Sequence, residues 1–150
     1  MRLVIQRSRK AQVEVNNEIV GSIEKGLLVL AGIEEADTEE DAQWLVKKLM
    51  GLRIFDDEDG VMNLSVKDID GEILAVSQFT LHAKTKKGNR PSYIRAAPPE
   101  KAEALFNFFV AQLSESLNKS VPTGRFGQHM EITFTNDGPV TILMDTKNKE

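Results

Sequence analysis

Apolar and polar positions alternate through the start of the chain. Val4 and Ile5 lead to Ala11, Val13 and Val15 on one face, Asn16-Asn17 interrupts, and Ile19 and Val20 resume on the return. A period of two broken by an Asn pair predicts a β-hairpin, because alternate side chains of a strand share a face. Gly26-Leu27-Leu28-Val29-Leu30-Ala31-Gly32-Ile33 is instead a continuous apolar run, expected to form a central strand buried on both faces. After the acidic loop from Glu34 to Asp37 the period becomes helical. Ala42, Leu45, Val46 and Leu49 follow the i, i+3, i+4, i+7 spacing, with Asp37 or Thr38 able to cap the start and Gly51 the end. Trp44 falls beside this stripe and is expected to pack.

Ile54-Phe55 runs into Asp56-Asp57-Glu58-Asp59-Gly60, a turn that lacks the spaced ligands and terminal glutamate of a calcium loop. Gly71 to Val76 has the apolar continuity of a buried strand. Pro98-Pro99 opens a second helix, with proline tolerated in its first turn, and Ala102, Leu105, Phe106, Phe109, Val110, Leu113 and Leu117 form a broad apolar face. There is no repeat, low-complexity tract or linker. The balance of strands against two helices predicts one α+β domain over residues 1–150. Mixed or antiparallel sheets would form a barrel-like or layered core, with two main helices packed on it. The lysine-rich end, Lys147 to Glu150, is expected to fray.

Composition narrows the chemistry. With 150 residues, 41% of them hydrophobic, the chain can bury a core without a metal or disulfide staple. Cysteine is absent, which removes thiol nucleophiles and thiolate zinc sites, and His82 and His129 are the only histidines, so no metal or other cofactor is expected. The N-terminus enters Arg2-Leu3-Val4-Ile5-Gln6-Arg7 directly and no stretch of 18 apolar residues occurs, so the expectation is a soluble cytoplasmic protein with no membrane partner. A net charge of -4 argues against a uniformly basic nucleic-acid surface. Yet no acidic residue occurs between Thr80 and Pro99, where Lys84, Lys86, Lys87, Arg90 and Arg95 form either a phosphate-binding patch or a solvated loop.

Two segments have the composition of a site. The strand ending at Val76 becomes Ser77-Gln78-Phe79-Thr80-Leu81, placing hydroxyls and a carboxamide at its exit; continued as a strand, it would turn Ser77 and Phe79 one way, Gln78 and Thr80 the other. An edge strand with satisfied polar groups is the structural alternative. Further on, two strand-like runs flank Asn136-Asp137-Gly138-Pro139. Gly138 admits positive φ and close approach, and a cis peptide before Pro139 would turn neighbouring carbonyls to one side, where they could hold an ammonium group. The same residues are also a strong hairpin signal.

Together, Ser77-Gln78-Phe79-Thr80-Leu81 and Asn136-Asp137-Gly138-Pro139-Val140-Thr141 resemble the paired signature of the D-aminoacyl-tRNA deacylases. The resemblance extends over the whole chain. It includes Gln6-Arg7, Gly26 to Leu30, Arg53-Ile54-Phe55, Met62-Asn63-Leu64, Arg90-Pro91-Ser92, and Thr123-Gly124-Arg125-Phe126-Gly127 with Met130. It implies a cytoplasmic homodimer that hydrolyses the ester between a D-amino acid and the 3′-terminal adenosine of tRNA, acts also on mischarged glycine, and needs no cofactor. It further implies that Gly138 and Pro139 of one subunit enter the other's pocket, so that the active site lies at the interface and rejects L-aminoacyl esters.

Carried onto this chain, the resemblance makes Ser77, Gln78, Phe79 and Thr80 the catalytic segment, with the amides around Phe79 and Thr80 facing the oxyanion. Gly138, Pro139 and Val140 would bind the amino-acid end, Ala102, Phe126 and Met130 would surround the adenosine, and Arg7 would orient the Gly-Pro loop. An activated ester needs an oriented water and charge stabilisation more than a protein nucleophile. Thr80 as a covalent nucleophile lacks a recognisable base in sequence, leaving water helped by the tRNA 2′-hydroxyl. His82 is expected on the surface rather than as that base. The rivals are a non-catalytic RNA-binding module using residues 84 to 95, and a serine-type esterase built on Ser77 with His82 or His129, without the Gly-x-Ser-x-Gly elbow.

Overall fold

The computed structural model describes residues 1–150. Strand β1, Arg2–Val15, runs into Asn16-Asn17, both at positive φ, and returns as β2, Glu18–Ile23. Two consecutive left-handed residues match the type I′ turn of a tight hairpin, and the pairing of Val15 with Glu18 closes it. Strand β3, Gly26–Gly32, pairs antiparallel with the first half of β1. Helix α1, Glu39–Met50, and a short hairpin of β4, Phe55–Asp56, and β5, Met62–Leu64, then lead to β6, Glu72–Ser77, which lies parallel to β3. A 3-10 turn over Phe79–His82, helix α2, Pro99–Leu117, and β7, Glu131–Asp145, complete the chain.

Strand β1 is long enough to carry different neighbours on its two halves, β3 beside residues 2–8 and β2 beside 11–15, while β7 runs along its other edge for nearly its full length. The sheet therefore curls into a half-barrel. Leu27, Val29 and Ala31 of β3 join Ile73 and Ala75 of β6 in the core under the helices, where Leu45, Leu49, Phe109 and Leu113 are fully buried. Leu28, Leu74 and Val76, on the opposite face, pack against Ala11, Val13 and Ile23 inside the curl. The continuous apolar run of β3 is thus explained by burial on both faces.

Both helices carry the expected stripes. Thr38 occupies the N-cap of α1, and Asp41 reaches back to the Thr38 amide at 2.9 Å. Asp37 does not cap the helix. It is fully buried against the Met1 ammonium, which also donates to Thr146 Oγ1 at 2.7 Å. The Thr146 amide also donates to the Met1 carbonyl at 3.0 Å, which ties down the chain just before the lysine-rich end. Lys147 Nζ lies 3.0 Å from Asp41, and the Lys149 ammonium stands 4.6 Å from the Trp44 ring centroid. The acidic stretch after Phe55 is a turn, with Asp57 accepting the amides of Asp59 and Val61, each at 3.0 Å.

Candidate active site

The carboxyl ends of the parallel pair β3 and β6 open beside the first turn of α2, where the chain has no further strand to fill the space. Ala31 of β3 and Ile33 just beyond it, Val76 and Ser77 from β6, Pro98, Pro99 and Ala102 at the start of α2, residues 126–130, and Ile132 of β7 enclose a cavity of about 680 Å³. Its walls are mostly apolar and continuous with the core: Phe126 packs on Phe106 at 6.4 Å between ring centroids.

The Ser77–Thr80 segment does not continue as a strand. The Gln78 amide makes a last sheet-like bond to Ala31 O at 2.8 Å, and Phe79 then enters the 3-10 turn. The alternation expected of a strand, and the edge-strand alternative with it, therefore fail. Gly32 of β3 leaves room for the turn, since a Cβ there would lie 2.9 Å from both Gln78 O and Leu81 Cβ. The turn leaves the amides of Phe79 and Thr80 as its opening donors, which have no acceptor within it. Gln78 Nε2 donates to Thr80 Oγ1 at 2.5 Å, fixing the hydroxyl from the side.

His82 contradicts the expectation of a surface histidine. It is 2% exposed, wedged against Gly32, with Nδ1 4.0 Å from Glu34 Oε2 and Nε2 without a partner. His129 lines the cavity. No hydrogen bond joins either histidine to Ser77 or Thr80, so the dyad of a serine-type esterase is not assembled. No three His, Asp or Glu side chains converge on a geometry that would hold a metal ion.

The second segment is not a hairpin. Both runs around Gly138 pair antiparallel with the same strand, Gln6 with Thr141 and Ser8 with Asn136, so that residues 137–140 stand opposite Arg7 alone. The Gly138-Pro139 peptide is cis, and Gly138 sits at φ 141, where a Cβ would collide with Val140. The result is a wide bulge on the outer strand of the sheet, with Gly138 and Pro139 exposed.

Arg7, 8% exposed, holds this bulge from beneath. Its Nε donates to Asp137 O at 3.0 Å and lies 3.3 Å from Asp137 Oδ2. Its Nη1 donates to Ile54 O at 2.7 Å and to Asp56 Oδ1 at 3.2 Å. Asn136 Nδ2 bridges the neck, donating to Arg7 O at 3.0 Å and Val140 O at 3.1 Å, and Arg9 pairs with Asp137 from the exposed side at 3.0 Å.

Within one chain the structure therefore gathers Ser77, Gln78, Phe79, Ala102, Phe126 and Met130 around the cavity, with Thr80 tied to it through Gln78. Arg7, Gly138, Pro139 and Val140 form a separate cluster at the bulge, none of them lining the cavity. Tyr93, which has no place among the residues expected from sequence, lines the cavity and meets Phe79 edge-on at 5.1 Å; Asn136 and Asp137 are equally unforeseen as the clamp of the bulge. Tyr93 is the one aromatic in the acid-free stretch, a signal that the charge pattern of that stretch obscures.

The family profile described as D-Tyr-tRNA(Tyr) deacylase matches residues 4–145. Proteins named D-aminoacyl-tRNA deacylase from Phocaeicola vulgatus and Flavobacterium psychrophilum are each 58% identical over 150 residues, covering all of both chains, and one from Akkermansia muciniphila is 55% identical over the same length. Among solved structures, one titled c-Myc DNA Unwinding Element Binding Protein superposes with a TM-score of 0.92 at 40% identity, covering 97% of this chain and 99% of its own. A second, titled a probable eukaryotic D-amino acid tRNA deacylase, shares the fold with a TM-score of 0.81 at 20% identity, covering 95% of this chain and 97% of its own.

Proposed function

The chain belongs to the D-Tyr-tRNA(Tyr) deacylase family and is a hydrolase acting on the ester bond of D-aminoacyl-tRNA, and from that premise we propose that two copies complete each other's site, the bulge of one seated in the cavity of the other. The observation that carries this reading is the separation of the two motifs. The Ser77–Thr80 turn borders a hollow, while Gly138 and Pro139 are exposed on a bulge of the outer strand and do not line it. An unpaired strand edge of this length, with Leu143 68% exposed, is itself suited to a partner chain.

In the completed site the terminal adenosine lies against Ala102, Phe126 and Met130, and the ester carbonyl sits at the 3-10 turn. Water adds to the carbonyl carbon, the amides of Phe79 and Thr80 stabilise the oxyanion, and the bond to the ribose 3′-oxygen breaks as that oxygen takes a proton. The neighbouring 2′-hydroxyl assists the water, so Thr80 forms no covalent intermediate. Ser77 shapes the wall, and Gln78 holds Thr80 in place.

The main-chain carbonyls of the bulge receive the α-ammonium, which leaves an L side chain pointing into backbone and a D side chain pointing outward. Selection is thus by exclusion and tolerates many D side chains. Glycine has no side chain to exclude, so mischarged glycyl-tRNA is also cleaved. Arg7 acts through the bulge as a positioning residue. No helix is long and apolar enough to cross a membrane.

The test is release of amino acid from D-tyrosyl-tRNA and L-tyrosyl-tRNA by metal-stripped protein. Cleavage of the D-ester alone supports the filter, equal cleavage of both removes it, and binding without cleavage of either would return the RNA-binding reading.

A further inference from the structure

Residues 80–99 contain no Asp or Glu in a chain of net charge -4, yet hold five cations. Lys84, Lys86, Lys87, Arg90 and Arg95 are all exposed, and none takes part in an ion pair, whereas cations outside this stretch form ten. The segment is not a slack loop. Lys84 and Ser92 exchange backbone hydrogen bonds at 2.8 and 3.0 Å, the Ala96 amide returns to Tyr93 O at 3.0 Å, and the Ala97 amide bonds Ile33 O at 3.0 Å. It therefore leaves the 3-10 turn of the catalytic segment, forms a braced finger with Gly88 near its tip, and rejoins the end of β3 beside the cavity.

The base of the finger carries the cavity's aromatic rim. Tyr93 lines the cavity and is 40% exposed, its edge-on partner Phe79 is 56% exposed, and Ile94 beside them is 80% exposed. Exposed rings next to unpaired cations are the two components of a single-strand nucleic-acid surface, one for bases and one for phosphates. Three acids border the base of the finger. Glu35 is neutralised by Lys101, Glu34 faces His82, and Glu100 lies in the first turn of α2.

We infer that this finger is the track for the single-stranded 3′ end of the tRNA, with a base stacked on the Phe79–Tyr93 pair and the phosphates 5′ of the terminal nucleotide drawn along Lys84, Lys86, Lys87, Arg90 and Arg95. The inference rests on the proposed function only in placing the terminal adenosine in the cavity. The nucleotide chain leaving that cavity must cross its rim, and the finger supplies an unpaired positive surface there. Affinity for the tRNA would then come largely from a surface separate from the groups that handle the ester. The small aminoacyl end would be checked for handedness while the polynucleotide is held.

The experiment compares the parent protein with the triple variant Lys86→Ser/Lys87→Ser/Arg90→Ser. The substrates are D-tyrosyl-tRNA and 3′-O-D-tyrosyl-adenosine, which carries no phosphate, and binding of a fluorescent single-stranded RNA ending in CCA is followed over a salt series. The variant is expected to raise KM for the tRNA about tenfold or more with kcat within about twofold, and to leave the adenosine ester within about twofold. Each phosphate that the variant no longer neutralises should flatten the logarithmic salt slope of RNA binding by roughly 0.7, about 2 in all. Unchanged tRNA kinetics and salt slope would overturn the inference. An equal loss on both substrates would overturn it too, by showing that the finger acts through the shape of the cavity. Failure of the deacylase reading has a different mark: the parent would cleave neither substrate, and the RNA salt slope would still decide the fate of the track.

Discussion

The cavity at the ends of β3 and β6 and the bulge on β7 are the two halves of the proposed site, and they are held by opposite kinds of interaction. The cavity wall is an extension of the hydrophobic core. Ala102 and Phe126 lean on side chains such as Phe106 that would be buried with or without a substrate. Apart from Val140, which packs against the main core, the bulge has no apolar support. Its shape rests on one buried guanidinium, one carboxamide and one carboxylate, Arg7, Asn136 and Asp137, acting on main-chain groups. Packing spreads the consequences of a substitution over many neighbours, whereas a polar clamp concentrates them in a few. The cavity should therefore tolerate conservative change and the bulge should not.

The largest effect separates the halves between subunits. Gly138→Ala places a Cβ against Val140 and deforms the bulge, and Ala102→Phe fills the cavity. Each alone should lower kcat/KM by about 10²-fold or more, since misplacing a positioning group costs that much. Mixed after unfolding and refolding together in equal amounts, the two variants should recover about a quarter of the parent activity, because half of randomly formed C2 dimers would be mixed and each would hold one intact site. No recovery, with mixed dimers demonstrated by mass spectrometry, would place both halves of the site within one chain.

The next contrast lies within the clamp. Arg7→Met strands the Asp137 and Ile54 carbonyls and removes the buried cation. It should destabilise the protein by about 2–4 kcal/mol in urea unfolding and lower kcat/KM on D-tyrosyl-tRNA by at least about tenfold. Arg9→Met removes a cation 72% exposed on the same carboxylate and should cost under about 1 kcal/mol. Equal effects would mean that charge on Asp137, rather than the geometry imposed from beneath, governs the bulge. On the cavity side, Thr80→Ala should keep kcat within about tenfold of the parent, a small loss beside the 10⁴-fold or greater one that follows removal of a covalent nucleophile. Abolished turnover in a well-folded Thr80→Ala protein would make Thr80 that nucleophile.

The cavity side is the more legible half in sequence. Period-two alternation, the glycine-bounded apolar run and the helical stripes all report local burial, and they place β1 to β3, α1 and α2 close to where they lie. What stays hidden depends on non-local partners. Asn136-Asp137-Gly138-Pro139 reads the same for a hairpin as for a bulge, and only the pairing of both flanking runs with β1 separates the two. Ser77 to Thr80 looks like strand because its composition gives no sign of the turn that packs against Gly32 of the neighbouring strand. His82 looks exposed because its burial depends on that same turn, and the contacts of Lys147 and Lys149 stay hidden because Asp37, Asp41 and Trp44 lie about a hundred residues earlier in the sequence.

That terminal cluster gives the smallest effect and a control on the other three. Burial raises the Asp41 carboxyl, but the Lys147 ammonium and the Thr38 backbone outweigh it and bring the pKa down to about 2 from an ordinary value of 3.8. A carboxyl depressed in the native state binds its proton more readily when unfolded. Its contribution to stability is therefore complete above about pH 4 and disappears as the pH falls through about 2. With the Asp41 side chain 13% exposed, the contribution is about 2 kcal/mol at most. Lys147→Met should flatten the urea midpoint between pH 4 and 2 without changing D-ester selectivity at neutral pH, since Lys147 touches neither the cavity nor the bulge. If selectivity moved with it, the two halves of the site would be coupled through the sheet, and the independence of packed wall and polar clamp would not hold.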